Sequence, residues 1–191
     1  MKPHLIFEGA ELAGKSYLAS GVYTKLEAQY AASKNILDGC VWINCDVGVF
    51  GTKQGPAMAE KYAEMAEILK ERAVILEKLH VSDQVYRQMY GLAAADYTGP
   101  EKKLAELGFR IVLVTFREDL ELVRKRLEDR MRLYPHYRRI AKEPEFYIKQ
   151  QRLYREIIKR STLPRLEADM TDLADRSGEI LEWIRGGWNA V

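Results

Sequence analysis

One eight-residue stretch near the N-terminus constrains the fold and the ligand of this chain more than any other feature. Residues Gly9 to Ser16 read Gly-Ala-Glu-Leu-Ala-Gly-Lys-Ser, which fits the phosphate-binding pattern G-x-x-x-x-G-K-[ST] without a mismatch. The run His4 to Phe7 before it predicts a buried strand, and Leu18, Val22 and Leu26, spaced four apart, predict a helix after it. Such a turn wraps backbone N–H groups around an anion, and the helix dipole adds to the attraction.

The pattern assigns a role to each part of this loop. Lys15 is expected to reach the β- and γ-phosphates of a nucleotide, and the hydroxyl of Ser16 to ligate Mg²⁺. The alternative is a chance match in a surface loop, which the flanking strand and helix disfavour. The residues expected to contact the nucleotide are Gly9, Ala10, Glu11, Leu12, Ala13, Gly14, Lys15, Ser16 and Tyr17.

Length and composition exclude several classes of protein. The 191 residues, of which 47% are hydrophobic, predict a single domain spanning 1–191. A net charge of +2 argues against a polybasic nucleic-acid binder, and two cysteines are too few for a disulfide scaffold or a four-cysteine zinc site. No apolar run approaches the ~20 residues of a membrane helix, and no signal-peptide stretch precedes the first strand. A cytoplasmic location is therefore expected.

Strand-like and helix-like segments alternate along the chain. Apolar runs predict strands over residues 41–45, 73–76, 110–116 and 164–167. Helices are expected over residues 56–72, 100–107, 120–133, 146–159 and 169–184, with a short helix capped by Ser82 or Asp83 and reaching Tyr90. This alternation predicts an α/β fold whose parallel sheet is covered by helices on both faces.

Two side-chain stripes on these helices are expected to pack in the core. Helix 56–72 carries an apolar stripe made of Met58, Tyr62, Met65 and Leu69. The stripe is interpreted as the face of the helix that packs in the core. Tyr86 and Tyr90 are likewise expected in the core, with stacking on a base as the alternative.

Charged residues follow the predicted strands at the edge where ligands of such sheets bind. The run 73–77, four apolar residues and then Glu77, has the form of a Walker B strand, so Glu77 is expected to hold Mg²⁺ directly or through water. Lys78 is expected to neutralise a phosphate. Asp46, after the second strand, is expected to accept a proton from an attacking hydroxyl or to bind Mg²⁺. The alternative is that these charges only mark where the strands meet water.

A basic segment suggests a helical lid over about residues 126–144. Arg126 and Arg130 are four apart and share a helix face, and like charges so close favour an anion between them. One alternative is a solvated basic face paired with Glu121, Glu128 and Asp129. A nucleic-acid surface is the other, but the segment is short and nucleic acid is not an expected partner.

At this point the chain resembles the thymidylate kinase and deoxynucleoside kinase group of P-loop kinases, from about His4 to Ile184. Phe7-Glu8-Gly9 resembles the group's Phe-Glu-Gly opening, and Asp46-Val47 lies where the group carries Glu-Pro. Glu77-Lys78 resembles the group's acid–arginine pair, and Ser82-Asp83 and Tyr86 resemble the serine and the aromatic residue downstream of that pair. Arg126 and Arg130 resemble the lid arginines. Glu143, Phe146 and Tyr154 resemble the segment after the lid.

The resemblance implies a P-loop NTPase fold, a three-layer αβα sandwich with a five-stranded parallel sheet and a helical lid. It also implies ATP and Mg²⁺ as cofactors, a small-molecule acceptor and often a homodimer. Lys15 and Ser16 would serve the donor phosphates, Glu77 would serve Mg²⁺, and the loop near residues 169–171 would flank the adenine. Lys78, Asp46, Arg126 and Arg130 would complete the catalytic set.

Three departures concern the acceptor side. Lys78 replaces an arginine, which turns a bidentate phosphate grip into a point charge. Asp46-Val47 replaces Glu-Pro, which makes the acidic side chain shorter. Helix 56–72, which supplies contacts to the acceptor in the group, carries Lys61 but no arginine before Arg72.

Three hypotheses follow from these features. The first is an ATP-dependent nucleoside or nucleoside-monophosphate kinase. The second is a P-loop kinase that acts on another small hydroxyl-bearing substrate. The third is a non-catalytic ATP-binding module that senses a partner.

Overall fold

The computed structural model of the chain describes residues 2–31, 33, 35 and 38–186, with the side chains of residues 29–31 excepted. The single domain predicted for 1–191 extends beyond these residues at both ends, so that boundary stays a prediction.

A five-stranded, all-parallel sheet forms the centre of the molecule, in the spatial order β2-β3-β1-β4-β5. The strands are β1 (His4–Glu8), β2 (Cys40–Asn44), β3 (Ala73–Glu77), β4 (Arg110–Thr115) and β5 (Arg165–Asp169). The inner strands β1, β3 and β4 are buried almost throughout, as their continuous apolar runs predict. In the register, Glu77 of β3 pairs with both Phe7 and Asn44, so β1, β2 and β3 end at one edge.

Seven helices lie among the described residues. They are α1 (Lys15–Ala31), α2 (Gly55–Ile68), α3 (His80–Met89), α4 (Thr98–Glu106), α5 (Leu120–Leu133), α6 (Pro144–Ile157) and α7 (Ser177–Gly186). Helix α1 packs against α7 and β3, whereas α3 packs against α2 and α6, and α6 against α5 and β4. The predicted three-layer α/β fold is confirmed. Within the described part of the chain, no helix combines the length and apolar character needed to cross a bilayer.

The stripe predicted as the core face of α2 lies at the margin of the core instead. Met58, Tyr62, Met65 and Leu69 are only half-buried. The fully buried positions of the helix are Gly55, Ala59, Ala63 and Ala66. Small side chains occupy this face because α2 approaches α3 and α4 closely. The helix ends at Ile68, four residues earlier than predicted, because the chain turns there to enter β3.

The prediction that Ser82 or Asp83 caps α3 is wrong. The helix begins at His80, and both side chains are buried inside its first turn. Tyr86 is buried as expected, but Tyr90 is 59% exposed because it follows the last residue of the helix.

The predicted helix over residues 169–184 also begins later than expected. Strand β5 runs to Asp169, and α7 starts only at Ser177, whose N–H donates to Asp175 Oδ1 at 2.9 Å.

Asp83 fixes the loop that leads from β2 into α2. Its Oδ1 accepts a hydrogen bond from the N–H of Gly51 at 2.6 Å, and its Oδ2 accepts one from the hydroxyl of Tyr97. A Cβ atom at Gly55 would lie 2.1 Å from Asp83 Oδ1. The carboxylate has no room to retreat, because both of its oxygens are already bound.

Replacing Gly55 with alanine is therefore expected to destabilise the protein. Overpacking of this kind lowers the free energy of unfolding by about 1–3 kcal/mol. Urea denaturation of both proteins measures the difference. Gly99, also in the first turn of a helix, is the matched control, because a Cβ atom there meets nothing within 4 Å. Its replacement by alanine is expected to leave stability unchanged or to raise it by up to ~1 kcal/mol. Equal losses in the two variants would contradict the role given to Asp83.

Candidate functional site

The phosphate-binding pattern forms the turn between β1 and α1. Gly9, Leu12 and Gly14 have positive φ angles of 143°, 63° and 90°. A Cβ atom at Gly9 would lie 2.2 Å from the carbonyl oxygen of Val114 in β4, so only glycine fits there. The turn brings Lys15 and Ser16 to the start of α1 beside the carboxyl ends of the strands. The local geometry is thus the glycine-bearing turn from a strand into a helix that the pattern predicts, while its anion binding stays a prediction.

Lys15 is buried within this loop and bends back over it. Its Nζ donates to the carbonyl oxygen of Ala10 at 2.6 Å. Burial lowers the pKa of Lys15 to about 8; the positive charge of Lys78 lowers it further, and the charges of Glu77, Glu11 and Glu8 oppose both effects. A buried ammonium group among carboxylates is suited to exchange its carbonyl partner for phosphate oxygens.

Ser16 and Glu77 meet at the carboxyl end of β3. The hydroxyl of Ser16 donates to Glu77 Oε1 at 2.5 Å, and Glu77 is buried as the last residue of the strand. A hydroxyl and a carboxylate are oxygen ligands of the kind that Mg²⁺ prefers, with phosphate oxygens and water as the rest of its shell. Among the described residues, no group of three histidine, cysteine, aspartate or glutamate side chains could hold a metal by itself. The pair therefore fits a Mg²⁺ ion that arrives with a nucleotide.

Asp46 and Lys78 form an ion pair beside this site, between the loop after β2 and the end of β3. Lys78 has a φ angle of 59°, unusual for a residue with a side chain, and this backbone turn aims its ammonium group at Asp46. Burial acts to raise the pKa of Asp46, but the charge and hydrogen bond of Lys78 outweigh it, and the pKa is lowered. Asp46 is thus an ionised hydrogen-bond acceptor at neutral pH.

One cavity of about 720 Å³ joins these groups. Of the residues predicted for the site, Gly9, Ala10 and Ala13 are buried within the phosphate-binding loop and do not line the cavity. The predicted residues that line the cavity are Glu11, Leu12, Gly14, Lys15, Ser16, Tyr17, Asp46, Glu77, Lys78, Arg126 and Arg130. Asn44, Leu133, Tyr134, His136, Tyr137 and Leu173 also line it.

Arg126, on α5, is bound to backbone carbonyl groups. One guanidinium nitrogen donates to Leu12 O at 2.9 Å, and the other donates to Thr171 O at 3.0 Å and to Met170 O. The guanidinium also lies over the ring of Phe116, 5.6 Å from its centroid. Arg126 thus ties the phosphate-binding loop to the segment after β5, and a direct phosphate contact would require these hydrogen bonds to break.

Arg130 lies one helical turn further along and has different neighbours. Its guanidinium is 4.7 Å from the ring centroid of Tyr134 and 5.4 Å from that of Tyr137. Both tyrosines belong to the segment around a 3₁₀ turn, Pro135–Arg139, that follows α5. The other arginines of α5 pair with carboxylates, Arg124 with Glu121 and Arg132 with Asp129, as the solvated-face alternative expects for them.

Glu11 links the phosphate-binding loop to the lid, a contact that the sequence did not reveal. Its Oε2 accepts a hydrogen bond from the hydroxyl of Tyr137 at 2.5 Å, and its Oε1 accepts a longer one, 3.4 Å, from Tyr86. Its N–H donates to Gln150 Oε1 at 2.8 Å. Burial and the hydrogen bond to Glu11 raise the pKa of Tyr137. The basic and aromatic composition of the lid indicated a functional segment, but it did not indicate that Tyr137 binds Glu11.

The carboxylate of Glu8, the last residue of β1, binds the N-terminal end of α3. Its carboxylate is fully buried and accepts hydrogen bonds from Leu79 N at 2.9 Å and from Ser82 Oγ at 2.5 Å. Ser82 Oγ is also 2.7 Å from the hydroxyl of Tyr154 on α6. Burial raises the pKa of Glu8 from 4.5 to about 7, although these hydrogen bonds and Lys15 oppose the shift.

This shift predicts a pH dependence of stability. The folded chain binds a proton at Glu8 more tightly than the unfolded chain does, so the contribution of Glu8 is lost as pH rises from 4.5 to about 7. Over that window the free energy of unfolding is expected to fall by about 3 kcal/mol on account of this group. Glu8→Gln, which keeps the shape and can still bond Leu79 and Ser82, is expected to remove the fall and to be the more stable protein at pH 8.

Denaturant midpoints at several pH values measure this difference between the two proteins. His80 also makes stability depend on pH, but it does so equally in both proteins and therefore cancels from the comparison. Burial lowers the pKa of His80 to about 4, so its contribution to the free energy of unfolding rises with pH up to about 6.5. Glu60→Gln, on the exposed side of α2, is the control and should follow the wild-type profile. Parallel profiles for the wild-type protein and Glu8→Gln would mean that folding does not raise the pKa of Glu8.

Comparisons with known proteins give one kind of match. No family model matches the chain, and no curated protein sequence matches it. Solved structures do match. The YorR protein from Bacillus subtilis, in complex with phosphorylated GDP, superposes with a TM-score of 0.65 at 16% identity over 98% of each chain.

Two further structures extend this likeness. Thymidylate kinase from Candida albicans matches with a TM-score of 0.57 at 14% identity, over 98% of this chain and 93% of that one. Deoxyadenosine kinase from M. mycoides with bound dCTP matches with a TM-score of 0.51 at 15% identity over the whole of both chains. At such identities the likeness establishes the fold.

Proposed function

Because the chain has the fold of P-loop kinases and carries a complete phosphate-binding loop, we propose that it is a cytoplasmic, ATP-dependent phosphotransferase that acts on a nucleoside or a nucleoside monophosphate. The observation that carries the proposal is the convergence of Lys15, Ser16–Glu77 and Asp46–Lys78 on one cavity. Phosphoryl transfer needs a cation for the donor phosphates, oxygen ligands for Mg²⁺ and an anion for the acceptor hydroxyl. Lys15, the Ser16–Glu77 pair and Asp46 are suited to these three roles.

On the donor side, the turn 9–16 would hold the β- and γ-phosphates with its backbone N–H groups and Lys15. Mg²⁺ held by Ser16 and Glu77 would neutralise charge that develops on the phosphates. The adenine would lie against the segment after β5, which Arg126 ties to the loop through Thr171 O. Arg130, a lid arginine that lines the cavity and has no carboxylate or carbonyl hydrogen bond in the described structure, would close over the transferring phosphate.

On the acceptor side, Asp46 would take the proton of the attacking hydroxyl. The hydroxyl oxygen would bond to the γ-phosphorus as the bond from that phosphorus to the β,γ-bridging oxygen breaks, with ADP as the leaving group. The lowered pKa of Asp46 keeps it ionised before the reaction, so it orients the hydroxyl and receives the proton late. Lys78 would hold Asp46 in place and offset its charge.

A panel assay tests this proposal. ADP release from Mg²⁺–ATP is measured with nucleosides, nucleoside monophosphates and other small hydroxyl compounds as acceptors. Turnover on one nucleoside or nucleotide acceptor is the expected result. Turnover only on another hydroxyl compound would favour the second hypothesis, which the replacement of arginine by Lys78 supports. ATP binding without transfer to any acceptor would favour the non-catalytic module.

A homodimer, which the resemblance implies, is part of the same proposal. Light scattering after size-exclusion chromatography measures the mass directly, and a mass near the 22.0 kDa of one chain would exclude the dimer.

A further inference from the structure

Two carboxylates of the cavity lining, Glu11 and Asp46, lie near the phenol groups of Tyr86 and Tyr90, which are outside the lining itself. Burial raises the pKa values of Tyr86 and Tyr90, and the negative charges of Glu11 and Asp46 raise both further. The two carboxylates therefore act on the same pair of tyrosines, whose stacked rings have centroids 6.1 Å apart. Among the described residues, the carboxylate of Glu11 accepts hydrogen bonds from the hydroxyl groups of Tyr137 and Tyr86 and forms no ion pair, and Lys15 acts on it only through space.

The cations of the cavity have other roles. Among the described residues that line it, the lysines and arginines are Lys15, Lys78, Arg126 and Arg130. Lys78 is paired with Asp46, and Arg126 is bound to three carbonyl oxygens. Lys15 and Arg130 remain for the triphosphate of the donor, whose negative charge takes up the positive charge of these two cations and Mg²⁺. None of them is left for a second phosphate on the acceptor.

Nearby basic residues do not fill this gap. Lys61 of α2 pairs with Glu64, Nζ to Oε2 at 2.8 Å, and both point into solvent. Arg87 of α3 donates to Thr52 O at 2.8 Å and to Ala93 O at 3.0 Å, and it does not line the cavity. Lys53 is exposed in that loop and does not line the cavity.

From this distribution of charge we infer that the acceptor is an uncharged, hydroxyl-bearing compound of the nucleoside class rather than a nucleoside monophosphate. The inference rests on the proposed function and selects between its two acceptor classes. Glu11 is the specificity-determining residue: its carboxylate repels an acceptor phosphate and can accept a hydrogen bond from a second hydroxyl of a neutral acceptor. Asp46 binds the hydroxyl that reacts.

The test compares each nucleoside with its own 5′-monophosphate, in transfer and in binding. The wild-type protein is expected to prefer the nucleoside in kcat/KM by about 100-fold or more, because like charges in a partly buried site repel strongly. Titration calorimetry in the presence of a non-hydrolysable ATP analogue with Mg²⁺ should give the same preference. A preference for the monophosphate in either measurement would overturn the inference.

Glu11→Gln tests the residue itself. The amide keeps an acceptor oxygen for Tyr137 but removes the negative charge, so the preference for the nucleoside is expected to shrink by roughly tenfold. Glu60→Gln, an exposed change on α2, should leave the preference unchanged. An unchanged preference in Glu11→Gln would remove Glu11 from the argument and overturn its assigned role.

The binding measurement separates failure of this inference from failure of the proposed reaction. Selective binding of nucleosides without ADP release would support the neutral acceptor site and overturn the phosphotransferase. Transfer to monophosphates would support the phosphotransferase and overturn the neutral acceptor. Binding of neither class at millimolar concentration would overturn the inference as well.

Discussion

Replacement of Lys15 by alanine is expected to reduce phosphoryl transfer by about 10³-fold while the fold is retained. Removal of a single preorganised group that stabilises transition-state charge costs about 10²–10³ in rate, and Lys15 is also the loop's only side-chain cation. Stability should change little, because the buried amine makes one hydrogen bond, to Ala10 O, and burial already lowers its pKa to about 8. ADP release under saturating ATP, with melting temperatures for both proteins, measures the two effects.

Lys25→Ala is the matched control for this variant. Lys25 lies on the same helix, α1, but is exposed and pairs with Asp175 at 3.1 Å, so its loss should leave transfer unchanged. Retained activity in Lys15→Ala, or equal losses in the two variants, would remove Lys15 from its proposed role. Lost activity together with a collapsed melting transition would mean that the lysine holds the loop together rather than the phosphates.

The sequence carried enough information to predict the phosphate-binding loop and its neighbours because the signals there are local. The phosphate-binding pattern fixes the turn from Gly9 to Ser16 within a few residues of chain, and apolar runs such as 73–76 report burial directly. Once the sheet is parallel, the carboxyl ends of its strands share one edge, so the meeting of Ser16 with Glu77 follows from the motif and the fold.

The partners of several polar side chains could not be predicted in this way. Ser82 was interpreted as a helix cap, but it binds Glu8, 74 residues away in sequence. Tyr137 binds Glu11 across 126 residues. Residue patterns report which face of an element is buried, whereas these contacts depend on how elements meet in space. The small-residue face of α2 was missed for the same reason, since it depends on how closely that helix approaches α3 and α4.

The proposed acceptor side departs from the pattern of the group that the chain resembles, yet its parts agree with one another. Lys78 stands in place of an arginine and Asp46 in place of a longer acid, and the two form an ion pair. The lysine at position 78 and the aspartate at position 46 therefore fit each other in the structure. This mutual fit supports a working acceptor site rather than a decayed one.

Asp46→Asn is expected to lower kcat by about 10²–10⁴-fold, the range for loss of a positioned general base, while the affinity for ATP stays within about threefold. The amide cannot accept the proton of the hydroxyl, but the phosphate-binding loop is untouched. Asp46→Glu should recover much of kcat, because it restores the carboxylate. Asp38→Asn is the control: Asp38 pairs with Lys2 at 3.3 Å before the opposite end of β2, far from the cavity edge. Single-turnover rates and ATP titrations separate the two effects, and equal losses of turnover and ATP affinity in Asp46→Asn would contradict a proton-accepting role.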